Sequence, residues 1–337
     1  MSFRTSDYAQ RYELVRFQLD NPIVNPADGQ QQVKNGYKFT INDRSSFYDW
    51  YNAYFEVQFQ LQKLADGTAY AAANRIAVIN GAHSLINQMT MRSSAKIVHD
   101  TSNLHKVVFV KNLLEYSDDF SRSVAKNQFW YLDTNGNNFV AAADGAVDSG
   151  FLARHTLTTG AALKDVNVTI PLNRYGFFEE LNERMLVPMQ LQFEIHLQKD
   201  NELIYKLNTL ADAGRIVINR FYLWVPKIIP KDSLYSKFTD SFLINSSWVY
   251  RKELYQVSSE RKNSGYFQIL SSIDNVKHVF VYIQRAKTDN ADANPYLLYR
   301  HECFTGKYTT RKIHKNYIRD PSGLFSIISR VSLSIVQ

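Results

Sequence analysis

The stretch FEVQFQLQ, residues 55–62, indicates the fold class of this chain. Apolar and polar side chains alternate along it, and the apolar set is Phe55, Val57, Phe59 and Leu61. A period of two places the apolar set on one face of a β-sheet and the Gln and Glu side chains on the other. The same alternation returns in residues 190–197 and, more briefly, in residues 166–170, so we expect an all-β fold.

Further strands are predicted along the whole chain, at residues 13–19, 37–41, 84–92, 96–99, 216–225, 276–284 and 324–335. Residues 278–283 are apolar at nearly every position, which predicts a strand covered on both faces. Helical patterns are few. We expect one helix from residue 104 to about 116, capped by Thr101 or Ser102, and short helices at residues 177–184 and 232–240.

These helices fall between strands without a regular βαβ alternation, which favours a sandwich over a doubly wound α/β fold. Residues 21–36, 133–150 and 289–295 are polar and predict exposed loops. Residues 206–214 separate two strong strand patterns and predict the boundary between two halves of the chain.

Composition argues against several classes of protein. Of the 337 residues, 45% are hydrophobic and 14% aromatic, so the chain can bury a core and favours pleated sheets. The net charge of +7 is spread along the chain, and the densest basic patch, residues 311–319, is interpreted as a solvated face. The single cysteine, Cys303, fits a reducing compartment. We recognise no signal peptide and no transmembrane segment.

No pattern of residues calls for catalysis, a cofactor or a metal. The histidines are His83, His99, His105, His155, His196, His278, His301 and His314, and no two have the HxH spacing of a metal-binding jelly roll. We interpret the Asp118-Asp119 pair as a helix cap or surface charge, and Cys303 as a buried or partly buried thiol. The tryptophans, Trp50, Trp130, Trp224 and Trp248, are expected as core or interface anchors. We therefore assign no catalytic, cofactor-binding or metal residue and predict that the protein is not an enzyme.

The block VNVTIPLNRYGFFEELNERMLVPMQLQFEIHLQKD, residues 166–200, is the most informative. A strand ends at Ile170-Pro171-Leu172, aromatics follow at Tyr175, Phe177 and Phe178, and Leu186-Val187-Pro188 leads into an alternating strand. This arrangement resembles the double jelly-roll major capsid proteins of eukaryotic DNA viruses, most closely those of the polinton-like and adintovirus-like group. Residues 216–230 look like the strand that opens the second jelly roll, and residues 275–285 look like its later buried strand.

The resemblance implies two consecutive eight-stranded jelly rolls with a few short helices in the connections. We place the N-terminal jelly roll at residues 1–208 and the C-terminal one at 209–337. The sequence after Arg285 is shorter than the family implies, so we expect the second jelly roll to be trimmed or incomplete.

The resemblance also implies a function. We expect a homotrimer that forms a pseudo-hexagonal capsomer of an icosahedral DNA virus or virus-like element. It would contact neighbouring capsomers and penton or minor capsid proteins, would not bind nucleic acid sequence-specifically, and would assemble inside the host cell into the virion. Two alternatives stay open: a glycan- or receptor-binding sandwich of the spike or lectin kind, and a jelly-roll enzyme.

Overall fold

The alternating stretch forms strand β4 (Tyr54–Lys63) in the computed structural model. The structure describes residues 9–43, 46–93, 96–133, 148–182, 188–206, 210, 212–230, 264–267, 317–319, 325–327 and 331–334. Within the described residues up to 230, the other strands are β1 (Ala9–Gln18), β2 (Tyr37–Ile41), β3 (Phe47–Tyr48), β5 (Ile76–Val78), β6 (Ile86–Ser93), β7 (Lys96–Ser102), β8 (Val166–Pro171), β9 (Leu191–Leu197), β10 (Ile204–Lys206) and β11 (Gly214–Pro230).

Nine of these strands form two sheets, and all but the short β3 make up eight strands in two continuous orders. One sheet has the order β1-β11-β4-β8, with β3 also paired to β11, and the other has the order β2-β9-β6-β7. Along the chain the first of the eight strands pairs with the last, the second with the seventh, the third with the sixth and the fourth with the fifth, all antiparallel. Such nested pairing is that of one long hairpin rolled into two sheets, and it makes this part of the chain a jelly roll.

The apolar faces of the two sheets meet through aromatic side chains. Phe39 of β2 lies 5.8 Å from Phe55 of β4 and 5.3 Å from Phe221 of β11, measured between ring centroids. At one end of the core, Trp50 packs against Phe178 and Phe193, at 6.2 and 5.6 Å. Full burial of such rings supplies much of the driving force for this fold, at roughly 1.5–3 kcal/mol each.

Strand β11 closes the jelly roll. It lies between β1 and β4 and pairs with both of them, from Gln18–Tyr222 on one side to Lys63–Gly214 on the other. The interpretation of residues 216–230 as the opening strand of a second jelly roll is therefore wrong, because their hydrogen-bonding partners belong to the first. The expected strand itself is confirmed, and it is longer than predicted.

One edge of β11 is closed by side chains instead of by a strand. Strand β1 pairs only with residues 222–230 of β11, which leaves the backbone near Ile216 and Ile218 without a strand partner on that edge. Gln32 donates to Ile218 O at 3.0 Å and accepts from Ile218 N at 2.7 Å, and Asp200 accepts from Ile216 N at 2.8 Å. Residues 21–36, predicted as an exposed loop, thus also contribute the buried Gln32.

The helices lie in the connections, as predicted. They are α1 (Leu104–Glu115), α2 (Asp118–Arg122), α3 (Ser149–Thr158), α4 (Gly176–Glu179) and α5 (Asp200–Leu203), with 3-10 turns at Ala82–Leu85, Val124–Gln128 and Leu172–Arg174. None of the helices described is long and apolar enough to span a membrane.

Two details of the predicted helices are wrong. Thr101 and Ser102 do not cap α1, because both pair with β6 as the last residues of β7; the N-cap is Asn103, at φ 57°. Helix α3 was not predicted, and only its first two residues, 149 and 150, fall in the predicted loop 133–150. Asp148 caps α3 by accepting from Phe151 N at 2.9 Å.

The chain divides into two units, Met1–Leu254 with Asp289–Ala293, and Tyr255–Thr288 with Asn294–Gln337. In the second unit, β12 (Ser264–Phe267) pairs with β15 (Val331–Ser334), and β13 (Tyr317–Arg319) pairs with β14 (Phe325–Ile327). The strand predicted at residues 276–284 and the helix predicted at 232–240 lie outside the described residues. The second jelly roll stays a prediction.

Candidate assembly surface

The outward face of the β1-β11-β4-β8 sheet carries the polar half of the alternation. Gln58 donates to Asn167 Oδ1 of β8 at 3.0 Å, and Gln60 donates to Asp165 Oδ1 at 2.8 Å. Gln62 in turn donates to Gln60 Oε1 at 2.8 Å. The glutamines are therefore hydrogen-bonded across to β8 and its preceding residue and along β4, and the predicted polar face is confirmed as a hydrogen-bonded surface.

One end of this face is covered by the chain itself. Arg215 is buried, and its Nη1 donates to Ala27 O at 2.6 Å and to Gln30 O at 2.7 Å. Its Nε donates to Gln62 Oε1 at 3.1 Å. Gly67, at φ +68°, lets the backbone approach this guanidinium, because a Cβ there would lie 2.8 Å from Nη2. This end of the face is therefore closed to a partner.

The opposite end of the face is aromatic and partly exposed. Trp224 of β11 stacks near Tyr54 of β4, with centroids 6.5 Å apart, and donates its indole N–H to Glu56 Oε2 at 2.5 Å. The Arg16 guanidinium of β1 lies 4.7 Å from the Tyr222 ring centroid and 5.7 Å from that of Trp224. Cation–π contact and an N–H bond hold these rings in one orientation.

Strand β1 extends this aromatic end with exposed apolar side chains. Leu14 and Tyr12 are 53% and 49% exposed. Leu14 stands opposite Pro226 in the β1–β11 register, next to the Arg16–Trp224 pair. We call the residues Tyr12, Leu14, Arg16, Tyr54, Tyr222 and Trp224 the outer aromatic patch. Apolar and aromatic side chains mixed with arginine are typical of protein–protein contacts.

Sequence reasoning missed the β1 part of this patch, although a signal was present. The apolar positions of β1 change phase between Leu14 and Val15, so that Tyr12 and Leu14 point to one face and Val15 and Phe17 to the other. Phe17 faces the core, where its ring lies 6.0 Å from Tyr48. A phase change within one strand predicts apolar residues on both faces, and so one apolar face outside the core.

The histidines do not form a site in the part of the chain that the structure describes. His83, His99, His105 and His155 are buried, and His196 lies 3.7 Å from Glu194 on the polar face of β9. Burial lowers the pKa of His83 and of His105 to about 3. Among the described residues, no group of histidine, cysteine, aspartate or glutamate could hold a metal ion. His278, His301, His314 and Cys303 lie outside those residues.

The remaining singled-out residues have structural surroundings. Asp118 and Asp119 lie in the first turn of α2, where Ser117 accepts from Phe120 N at 3.2 Å and Asp118 pairs loosely with Arg122. Trp50 and Trp130 are buried in the core, and Trp224 belongs to the outer aromatic patch. Trp248 lies outside the described residues.

A buried polar network attaches α1 to the segment after β8. Asn112 of α1 donates to His83 Nδ1 at 3.2 Å and accepts from Arg174 Nε at 2.7 Å. Arg174 also pairs with Glu115 at 2.7 Å, and Lys111 pairs with Glu179 at the same distance. These bonds position α1 against the segment after β8.

Of the comparisons with known proteins, only the comparison with solved structures gives matches. No protein-family model matches the chain, and no curated protein matches it. Similar solved structures include major capsid proteins of large DNA viruses and virophages.

A chain of the Sputnik virophage structure is 11% identical with a TM-score of 0.43, and the match covers 67% of this chain and 49% of that chain. The Faustovirus major capsid protein is 9% identical with a TM-score of 0.43, at 68% and 56% coverage. The mavirus major capsid protein is 9% identical with a TM-score of 0.36, at 64% and 46% coverage. The match thus spans about half the length of each of these proteins.

Proposed function

We propose that this chain is a structural protein of a viral capsid, built on the jelly roll of residues 9–230. The observation that carries the proposal is the nested pairing of eight strands in two sheets. Viral capsid proteins are one of the main classes that use this architecture. The order of motifs in residues 166–200, which resembles double jelly-roll capsid proteins, supports the same function.

The finer proposal is a double jelly roll that assembles into trimeric capsomers. We place the boundary between the two halves after Pro230, because β11 is the last strand of the first jelly roll. Three chains with two similar domains each would present six similar wedges around an axis, which suits a hexagonal lattice. In this proposal the outer aromatic patch makes contacts between jelly rolls of different chains in the trimer. The patch is the partly exposed end of an otherwise hydrogen-bonded face.

Light scattering after size-exclusion chromatography tests the oligomer. We expect a species of three times the 39.0 kDa chain mass, and hexagonal particles by electron microscopy. A chain that stays monomeric at high concentration, with no particles, would contradict the capsid proposal.

Two matched substitutions test the proposed contact. Leu14→Asp in the outer aromatic patch is expected to weaken the trimer at least tenfold, because a buried unpaired charge is costly. The control is Ile97→Asp on β7, since Ile97 is 55% exposed and Leu14 53%. If both variants assemble as the parent chain does, the outer aromatic patch does not form the contact, whichever oligomer the chain forms.

A glycan- or receptor-binding sandwich is less well supported. The Trp224 indole N–H is engaged by Glu56, and the Arg16 guanidinium lies near the ring. A sugar would have to displace these contacts before it could stack. A glycan array that gives binding by the monomeric chain, abolished by Trp224→Ala, would favour this alternative.

A further inference from the structure

Strand β1 leaves one of its two edges open. The strand is ten residues long and pairs with β11 on one side. Within the described part of the chain, no other strand pairs with β1, and no backbone hydrogen bond reaches residues 10–18 from elsewhere. Strand β1 therefore ends the β1-β11-β4-β8 sheet with a row of unpaired backbone groups.

The residues of β1 that face this edge follow from a bond on the far side of β11. Asp49 N, just after β3, donates to Pro226 O at 2.8 Å, so residue 226 directs its carbonyl away from β1. Leu14 stands opposite Pro226, and opposite residues of an antiparallel pair either bond to each other or both point away. Leu14 therefore directs its N–H and C=O to the open edge. By the period of two, Tyr12 and Arg16 do the same.

Other free strand edges in this chain are covered by side chains. The free edge of β11 is closed in this way, as described above. Strand β5 pairs with β10 on one side, and on the other Arg154 Nε donates to Val78 O at 3.1 Å and His155 Nδ1 lies 2.8 Å from Ile76 O. Strand β1 also contains no proline or lysine, the residues that commonly block strand addition. Its edge is therefore able to accept another strand.

The sequence of β1 is complementary to itself in one antiparallel register, centred on Leu14. In that register Tyr12 stands opposite the partner's Arg16, and Arg16 opposite the partner's Tyr12, so a cation and an aromatic ring meet twice. On the other face, Glu13 stands opposite the partner's Val15, and Arg11 opposite the partner's Phe17. No like charges meet, and residues 10–18 of both copies overlap.

The neighbouring registers are less favourable. A two-fold axis perpendicular to the sheet keeps the outward faces of both copies on one side, so the register can shift only in steps that keep each face matched. A register centred on Glu13 places it opposite the partner's Glu13, and like charges directly opposite are destabilising. A register centred on Val15 shortens the overlap to residues 12–18 and places Tyr12 opposite the partner's Gln18.

We propose that β1 pairs with β1 of a second copy of this chain, antiparallel and about a two-fold axis at Leu14. The pairing joins two β1-β11-β4-β8 sheets into one continuous sheet. Its bonds lie in the plane of the sheet, whereas the contact proposed above uses the outward face. It is therefore a separate contact that does not depend on the proposed capsid function. In a trimeric capsomer it would join two capsomers, because a three-fold axis does not relate two strands in this way.

Cysteine cross-linking of the full chain tests the register. In a Cys303→Ser background, a single cysteine reaches its own copy only on the two-fold axis, where opposite Cα atoms lie about 5.5 Å apart. We expect Leu14→Cys to form a covalent dimer with oxidised glutathione, and Tyr12→Cys and Arg16→Cys each to form none. A mixture of the last two chains should cross-link, because these positions stand opposite each other.

Hydrogen exchange of the parent chain tests the backbone pairing. From dilute to concentrated solution, we expect the amides of Tyr12, Leu14 and Arg16 to gain at least tenfold protection. The amides of Val15 and Phe17 already face β11 and should change little. A contact made by the outward face alone buries side chains and would not produce this alternation.

Two substitutions at one exposed position test the complementarity. Tyr12→Arg places two cations opposite each other and is expected to weaken the dimer at least tenfold in a light-scattering dilution series. Tyr12→Glu removes the same ring but places a carboxylate opposite the partner's Arg16, and it should retain the dimer. Within one strand these positions lie about 13 Å apart, so the difference between the variants arises between chains.

Three results would overturn the pairing. They are a Leu14→Cys chain that stays uncross-linked at high concentration, equal protection of the Tyr12, Leu14 and Arg16 amides at both concentrations, and equal dimerisation of the two Tyr12 variants. A trimer found together with these results would remove the β1 pairing and leave the capsid proposal standing. If a cysteine variant fails to fold, hydrogen exchange of the parent chain still decides the question.

Discussion

At the scale of single residues, the jelly roll buries several ionisable groups and gives each a defined partner. Lys34 pairs with Asp200, and both side chains are nearly inaccessible, at 9% and 2% exposure. Burial lowers the pKa of Lys34, and Asp200 opposes that shift. Such a buried pair adds little net stability, but loss of one partner leaves an unpaired charge in the core.

The buried histidines predict acid sensitivity. His83 and His105 have pKa values lowered by burial from 6.5 to about 3. The unfolded chain binds a proton on each ring below pH 6.5, whereas the folded chain does so only near pH 3. The stability present above pH 6.5 is therefore lost as the pH falls from 6.5 to 3, by about 1.4 kcal/mol per pH unit and per ring.

Urea unfolding between pH 4 and 7 measures this effect. We expect His83→Gln and His105→Gln each to reduce the decrease in unfolding free energy between pH 7 and pH 4 by roughly the contribution of one ring. The control is Gln192→Asn on β9, which removes no titratable group and should leave the slope unchanged. Equal slopes in all variants would show that neither buried ring causes the acid sensitivity.

At the scale of elements, side chains complete strand edges in two places. Gln32 and Asp200 occupy the free edge of β11, and Arg154 and His155 occupy that of β5. An open strand edge is a template for unwanted pairing, and proteins cover it in several ways. Here individual side chains bond to the backbone groups of the edge, so no additional strand is needed.

The Gln32 cover predicts a specific loss of stability. Gln32→Ala removes both bonds to Ile218 and leaves a buried N–H and C=O unpaired, at a cost of about 1–3 kcal/mol in the free energy of unfolding. Gln31→Ala is the matched control, since Gln31 is the adjacent residue of the same type and is exposed. Chemical denaturation compares the two. Equal midpoints would mean that water satisfies the β11 edge as well as Gln32 does.

At the scale of the whole molecule, the jelly roll depends on β11, which connects β1 to β4. Without it, the first sheet would separate into two lone strands, β1 and β3, and the β4–β8 pair. The predicted domain boundary near residue 208 would remove this strand from the N-terminal half. The pairing therefore supports a boundary after Pro230.

Two fragments test this boundary. A fragment of residues 1–230 is expected to unfold cooperatively in urea with a β-type circular dichroism spectrum, because all eight strands are present. A fragment of residues 1–208 should show no cooperative transition, since the centre of one sheet is missing. Cooperative unfolding of the shorter fragment would show that β11 is dispensable and would favour the boundary predicted at residue 208.

The sequence by itself determined the strands whose two faces differ. Alternation in β4, β8 and β9 predicts both the strand and the buried face, because the side-chain direction follows from the local backbone alone. The aromatics Phe177 and Phe178, singled out in the block 166–200, are buried.

The tertiary structure alone decided which strands pair and what covers their edges. Leu14 stands opposite Pro226, and Tyr54 opposite Trp224, across separations in sequence that no local pattern specifies. The same holds for Gln32 on Ile218 and His155 on Ile76, which are contacts between distant segments. Alternation reports only whether a face is buried. The partner that buries it is chosen by the packing of the whole chain, and that is why β11 was correctly predicted as a strand and assigned to the wrong half.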